Sequence, residues 1–282
     1  MNTRLIRFAV IAALVIIAGV IYWRNTHLFR PKQETPRIRV AAPAAKKRAP
    51  AASAATAAKK KAGGPKVAIV MDDFGYNVSN LDDLFDIKEP ITLSVLPNLR
   101  YSSEIARLAN LRGQEVILHM PLEPHRKDVR EEQDTIKSGM TQEEIFAVVD
   151  KEIASVPGIK GVSNHMGSKA TEDVKVMSAV FKRLKKHGLY FFDSLTSENS
   201  ICRQAAAAAG IRYARRDVFL DNSNDPAYIE KQLMELKRSA LRNGRAIAVC
   251  HDRKNTISVL AKMMPEMRRE GIIFVPLSRM ME

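Results

Sequence analysis

The sequence predicts an α/β protein: an irregular (β/α) barrel of seven or eight strands, preceded by one N-terminal transmembrane helix. Three observations predict it. From Val67 onward, short and nearly continuous apolar runs alternate with amphipathic stretches, as parallel strands covered on both faces alternate with helices. The amphipathic stretches carry helix start and stop residues. An uncharged run, Phe8–Trp23, stands apart at the N-terminus. Repeated β-α units imply a parallel sheet, and this number of strands suits a barrel, irregular or incompletely closed. An open doubly wound sheet is the alternative. No internal repeat occurs, and neither does a GxGxxG or GxxxxGK[ST] phosphate loop.

The run FAVIAALVIIAGVIYW would span roughly 24 Å as a helix, a little short of a hydrocarbon core of about 30 Å. Leu5 and Ile6 extend it if Arg7 snorkels. Tyr22 and Trp23 stand where an interfacial aromatic belt belongs. A cleaved signal peptide needs small residues after the apolar core, and Tyr22-Trp23-Arg24 occupies that place. Residues 1–30 are therefore read as a membrane anchor. Basic residues on both sides leave its orientation undecided by charge. Residues 31–66, rich in Ala, Pro and Lys, are read as a solvated linker. Residues 67–282 form the barrel domain.

The net charge of +14 belongs almost wholly to the N-terminal part. Residues 1–66 hold 14 Lys and Arg against one acid, Glu34, whereas the rest holds 31 bases and 30 acids. A nearly neutral domain gives no support to nucleic-acid binding, so no nucleic-acid partner is expected. Cys202 and Cys250 are too few for a disulfide scaffold or a cysteine zinc site.

Strands are predicted at Val67–Met71, Ile91–Val95, Val116–Leu118, Val162–Ser163, Leu189–Phe192, Val218–Leu220, Ala246–Val249 and Ile272–Val275. Thr141 and Glu144 form a capping box ahead of a helix over Ile145–Val156. Thr171 is read as the start of a helix that ends in Lys and Arg before Gly188. Asp225-Pro226 opens another, which stops near Asn243-Gly244. Ser102–Asn110 and Thr256–Arg269 complete the set.

Chemistry-bearing residues collect where the strands end. Asp72-Asp73, His119, Asn164-His165, Asp193, Asp221-Asn222 and His251-Asp252 each follow an apolar run, and barrel strand tips converge on one face. Adjacent carboxylates on a strand point to opposite faces. Asp72 and Asp73 reach one site only if the chain is turning, and Phe74-Gly75 supplies a turn. Two such carboxylates can divide labour, one holding a metal and the other acting as a base; a helix cap beside a solvated acid is the plain alternative. His119 and His165 offer imidazole nitrogens, which with one Asp leave open metal positions for water and substrate. His251 is a candidate general acid. Asp193 is read as orienting a histidine, binding substrate or simply making a turn. Arg216 is read as steering a site carboxylate or forming a structural ion pair.

The motifs IVMDDFGYN, EVILHMPLEP, GVSNHMGS, YFFDSLTS, ARRDVFLDN and AIAVCHDR, in this order, resemble the divergent polysaccharide deacetylase family, a distant relative of the NodB-type deacetylases of carbohydrate esterase family four. The resemblance covers essentially all of Val67–Met280. It implies a NodB-like barrel and a divalent metal, usually zinc. By resemblance Asp72 is the catalytic base, Asp73 the metal carboxylate, His119 the first metal histidine and His251 the catalytic acid. The relatives carry a second histidine four positions after the first, where this chain has Glu123. The third ligand is therefore assigned to His165, with Glu123 held in reserve. Glu123, Asn164, Asp193, Arg216 and Asp221 are expected in substrate binding or in support of the ligands.

The function expected is removal of acetyl groups from a cell-envelope polysaccharide by a metal-dependent hydrolase. The chain is expected at a bacterial inner membrane, single-pass, with its catalytic domain in the periplasm. An inactive, tethered glycan-binding or envelope-organising protein is the alternative. Phosphoester hydrolysis at the same metal is a third reading, and it lacks a basic substrate cluster at the tips.

Overall fold

A computed structural model describes residues 63–282. The expected anchor, and nearly all of the expected linker, lie outside the described residues. Among the described residues no helix is long and apolar enough to cross a membrane.

Among the described residues, nine parallel strands form one sheet: β1 (Lys66–Phe74), β2 (Thr92–Val95), β3 (Val116–Leu122), β4 (Gly161–Met166), β5 (Tyr190–Asp193), β6 (Tyr213–Arg215), β7 (Val218–Phe219), β8 (Arg245–His251) and β9 (Ile273–Phe274). Helices α1 (Leu81–Asp86), α2 (Ser102–Leu111), α3 (Gln142–Ser155), α4 (Val174–Lys186), α5 (Cys202–Ala209), α6 (Pro226–Asn243) and α7 (Lys254–Arg269) lie between them. The strand order is β6-β5-β4-β3-β2-β1-β8-β7, with β9 beside the start of β1. The two ends of this order are neighbours in sequence, separated only by Arg216 and Asp217. The Arg216 N–H donates to the Asp193 carbonyl at 3.0 Å, and the Asp217 N–H to the Ile247 carbonyl at 2.9 Å. A split strand thus carries the sheet round from β5 to β8. The sheet is rolled rather than open, and irregular where the ladder changes partner.

Strand periodicity explains both the core and the site. Along β1, Val67, Ile69 and Met71 pack in the main core cluster, while Ala68 and Val70 belong to a second, smaller one. Ile117, Tyr190, Phe192, Ala214, Ile247 and Val249 join that second cluster, with Leu277 and Met280 from the 3-10 turn Leu277–Met280. This smaller cluster is the barrel interior, and the larger one is the layer between sheet and helices. A period of two then sends Asp72, His119, Ser163, His165 and His251 inward, just beyond the apolar filling. At the opposite strand ends, Gly161 abuts Tyr190 so closely that a Cβ would lie 2.2 Å from its ring.

Helix signals hold where a side chain caps the backbone. Thr141 and Glu144 form the expected capping box on α3. Asp225 caps α6, which ends at Gly244 with φ +78°. The expected start at Thr171 is corrected. Ala170–Glu172 is a 3-10 turn, and the Asp173 side chain accepts from the Lys175 and Val176 N–H groups to start α4. The Thr171 hydroxyl is committed to the Gly167 carbonyl, so the carboxylate two residues on takes the cap. Strand β6 and helices α1 and α5 were not expected from sequence. Cys202 and Cys250 are buried free thiols.

Candidate metal centre and flanking catalytic groups

Asp72 and Asp73 reach the same site through a local backbone device. Asp72 follows the inward parity of β1. Asp73 would face outward, but it adopts φ +69°, and the β1–β2 register slips between Met71 and Phe74. Aspartate tolerates this left-handed conformation better than most residues. The turn expected at Phe74-Gly75 therefore begins one residue earlier, at Asp73 itself.

Asp73 Oδ1 stands 3.4 Å from His119 Nε2 and 3.2 Å from His165 Nδ1. The two imidazoles meet edge to face at 4.9 Å between centroids. One donor atom from each of the three residues lies within 4.8 Å of the others. Asp73 Oδ1 is buried and satisfied by no hydrogen bond, as is His165 Nε2. Ligands about 2.0–2.1 Å from a tetrahedral ion stand roughly 3.3–3.4 Å from one another. The donor set and its spacing thus fit a divalent cation. Burial pushes the Asp73 carboxyl up, but the facing imidazoles of His119 and His165 outweigh it and hold the group well below the usual carboxylate range.

Asp72 is buried beside this cluster, its Oδ1 3.7 Å from His119 Nδ1. Burial raises its pKa above the ordinary value, against opposing help from His119 and the Ser94 hydroxyl. On the other side, His251 Nε2 stands 3.8 Å from Asp73 Oδ2. Its Nδ1 is held 3.0 Å from Asp221 Oδ1. Asp221 Oδ2 accepts from the His251 backbone N–H and from Thr256 Oγ1. Burial lowers the His251 pKa, but the Asp221 bond and the charges of Asp73, Asp221 and Asp72 outweigh it, so the net shift is upward.

The remaining expected residues support the site without joining it. Glu123 is tied to Lys169 at 2.8 Å and accepts the Ser138 N–H at 2.8 Å, so the reserve ligand is committed to holding loops together. Asn164 has the outward parity of β4 and binds the Ser194 N–H and the Met166 carbonyl. Asp193 likewise faces the helix layer, accepting from the Leu195 N–H, Ser200 and Tyr213. It orients no histidine; Asp221 does. Arg216 donates to the Ser194 and Leu195 carbonyls and stacks 5.0 Å over Phe219, whose ring in turn lies 5.3 Å from that of His251. Its charge is felt at Asp72, but among the described residues it forms no ion pair with a carboxylate. Ser94 and Ser163 were missed. Both are fully buried hydroxyls at inward positions of otherwise apolar strands, and that parity is the signal that could have found them.

Fold and site together define a class: a parallel-strand, curled α/β half-barrel with a carboxylate–imidazole cluster that could hold a cation at the C-terminal ends of its strands, flanked by a buried acid and an Asp–His pair. The chain belongs to the divergent polysaccharide deacetylase family, whose family model matches residues 69–281. It is 36% identical over 199 residues to the uncharacterized protein YibQ of Escherichia coli strain K12, a match covering 71% of this chain and 62% of that protein. The chain thus spans less than two thirds of that relative's length. An uncharacterized protein of Haemophilus influenzae is 33% identical, with 69% of each chain covered. The crystal structure of the uncharacterized protein ATU2773 from Agrobacterium tumefaciens C58 superposes with a TM-score of 0.74 at 26% identity, covering 78% of this chain and 90% of that one. The resemblance drawn from the six motifs is borne out.

Proposed function

We propose that the barrel domain is a metal-dependent hydrolase that removes acetyl groups from a cell-envelope polysaccharide. The observation that carries this reading is the meeting of Asp73, His119 and His165 at one point, with Asp72 and the His251–Asp221 pair on either side. Asp73, His119 and His165 would hold the cation, and their nitrogen and oxygen donors suit zinc. When bound, the metal supplies Lewis-acid polarisation of the acetyl carbonyl. Asp72 takes the proton of the attacking water; its burial suits a carboxylate that must accept a proton near neutral pH. His251, protonated more readily through Asp221, delivers a proton from Nε2 to the departing amine or alcohol. Asp221 keeps that nitrogen turned to the cleft.

The test is acetate release from acetylated chitooligosaccharides and peptidoglycan. Chelation should abolish release and zinc should restore it. Asp72→Asn should keep the metal and lose turnover. Full activity in Asp72→Asn would defeat the assigned role. Absence of acetate release from zinc-loaded protein would favour a tethered glycan-binding protein, a reading that Glu123 at the relatives' histidine position already supports. The apolar run Phe8–Trp23 supports a single-pass inner-membrane anchor, and a cell-envelope glycan substrate suits a domain in the periplasm. Fractionation with protease accessibility tests that placement.

A further inference from the structure

Seven links run from the end of a helix into the next strand, and they lie at the end of the barrel opposite Asp73, His119 and His165. Each carries an exposed Lys or Arg, in the link itself or in the last two residues of the helix. Lys88, Arg112, Lys160 and Arg212 stand in the links to β2, β3, β4 and β6, Lys186 closes α4, and Arg242 and Arg268 stand in the last turns of α6 and α7. Bases in a last helical turn answer the helix dipole, an effect confined to that turn. Lys88, Lys160 and Arg212 lie beyond the helix ends, so the dipole does not account for them.

Most acids at this end are taken up by the fold. Glu89 is buried 3.6 Å from Arg268, and Glu115 accepts from the Tyr190 hydroxyl and the Ser278 N–H. Glu270 pairs with Lys237, and Glu282 with Arg245. Asp86 remains as an exposed acid. Among the described residues Lys88, Lys160 and Lys186 pair with no carboxylate. Residues 67–282 hold 31 bases and 30 acids, so the excess of base here is local to one face.

Apolar side chains stand among these bases. Leu111, directly before Arg112, is 84% exposed, and Leu241, directly before Arg242, is 58% exposed. A single exposed leucine is ordinary. Leucines set beside bases on one face suit a surface whose bases meet phosphates while apolar tips reach below them. The incoming chain is fixed to the same end: the Lys66 N–H donates to the Gly244 carbonyl at 3.0 Å, and the Ile273 N–H to the Pro65 carbonyl at 2.9 Å.

We propose that the strand-start end of the barrel is a docking surface for an anionic lipid bilayer, turning the Asp73–His119–His165 cluster away from the membrane. The inference rests on the anchor reading above, which brings the barrel within reach of a bilayer. Each base close to an anionic leaflet strengthens binding by roughly fivefold. Screening limits that attraction to about 8 Å, and inserted leucine tips hold the bases within it. An acidic polymer would satisfy the bases but give Leu111 and Leu241 nothing to enter.

The 282-residue chain in vesicles tests this, with a polarity-sensitive dye on Leu111→Cys or, at the opposite end, on Val78→Cys. Cys202 and Cys250 are buried and leave the introduced thiol to react. On phosphatidylcholine with about 30% phosphatidylglycerol, the dye at position 111 should shift to shorter wavelength and resist a water-soluble quencher, and the dye at position 78 should not. Pure phosphatidylcholine, or about 0.5 M salt, should remove the difference. Lys88→Gln, Lys160→Gln and Lys186→Gln together should cut the docked-to-free ratio on the order of 100-fold at unchanged melting; the lipid and salt arms carry the test if that variant is unstable. A dye at position 111 that stays in water on anionic vesicles overturns the proposal. So does equal shielding at both positions, or equal shielding on neutral lipid. Equal shielding of position 111 by soluble polyglutamate would name an acidic polymer as the partner and overturn it too. A chain that washes off neutral vesicles contradicts the anchor reading, and position 111 shielded on anionic vesicles would still uphold the docking surface.

Discussion

Asp221→Asn isolates the role of His251, because the change is isosteric and the hydrogen bonds at Asp221 can be counted. Asp221 is fully buried. Its Oδ2 accepts two bonds, from the His251 N–H at 2.9 Å and Thr256 Oγ1 at 2.8 Å, and its Oδ1 accepts one, from His251 Nδ1 at 3.0 Å. An amide has a single acceptor oxygen. That oxygen is best placed at the two-donor position, which turns the NH2 toward His251 Nδ1. The imidazole must then accept at Nδ1, and its protonated form loses its partner. Loss of a positioned general acid costs roughly 10²–10⁴ in rate. A hydrogen bond to a charged group contributes about 1.5–3 kcal/mol, and each kcal/mol moves the melting temperature of a domain this size by roughly 2–4 °C. Melting should therefore fall by about 3–12 °C. The pH dependence follows from the raised His251 pKa. The stabilisation is complete below the ordinary imidazole value of about 6.5 and is lost as pH rises through the higher folded value. The melting gap between wild type and Asp221→Asn should be widest in mild acid and should narrow in alkali. Acetate release at saturating substrate and thermal melting across pH measure the two effects. An Asp221→Asn chain with kcat within about twofold of wild type would refute His251 as the acid.

Three further outcomes follow from the packing. Glu152 is fully buried, and neither of its carboxylate oxygens has a partner; burial and the charge of Asp134 push its pKa well up. Glu152→Met should raise stability by about 1–3 kcal/mol, with a larger gain at pH 8 than at pH 4, because the unfolded chain ionises first. A lower melting temperature at neutral pH would contradict this. Gly161→Ala forces a Cβ into the Tyr190 ring and should cost about 1–3 kcal/mol; unchanged melting would show that the ring gives way freely. Glu123→Gln should leave zinc affinity unchanged in a chelator titration, since Glu123 is occupied by Lys169 and Ser138; a large loss would return it to the ligand set.

Apolar runs, capping residues and the acids and imidazoles at the strand tips were legible because each is a local pattern with a local cause. Strand parity, applied from sequence only to Asp72 and Asp73, also separates the inward His165 from the outward Asn164 once the strand bounds are known. Asp193, by the same rule, falls outside with Phe191. The turn at Asp73 was not legible at its true position, because a left-handed aspartate leaves no mark in composition. Pairing of Asp221 with His251 depends on β7 lying beside β8, with Phe219 opposite Val249. The sequence marks a strand at Val218–Leu220, but which strand it lies beside is a long-range pairing that no local pattern encodes. The hydroxyl chain from His119 through Ser163 to Ser94, 2.8 Å at each step, crosses three strands and becomes visible only when their order is known.

The measurement that bears most directly on the account is a zinc-soaked crystal structure with anomalous scattering at the zinc edge. The account predicts one ion about 2.0–2.2 Å from an Asp73 oxygen and one nitrogen each of His119 and His165, with Asp72 and His251 left uncoordinated. An ion bound elsewhere, or no ion between these three side chains at saturating zinc, would contradict it.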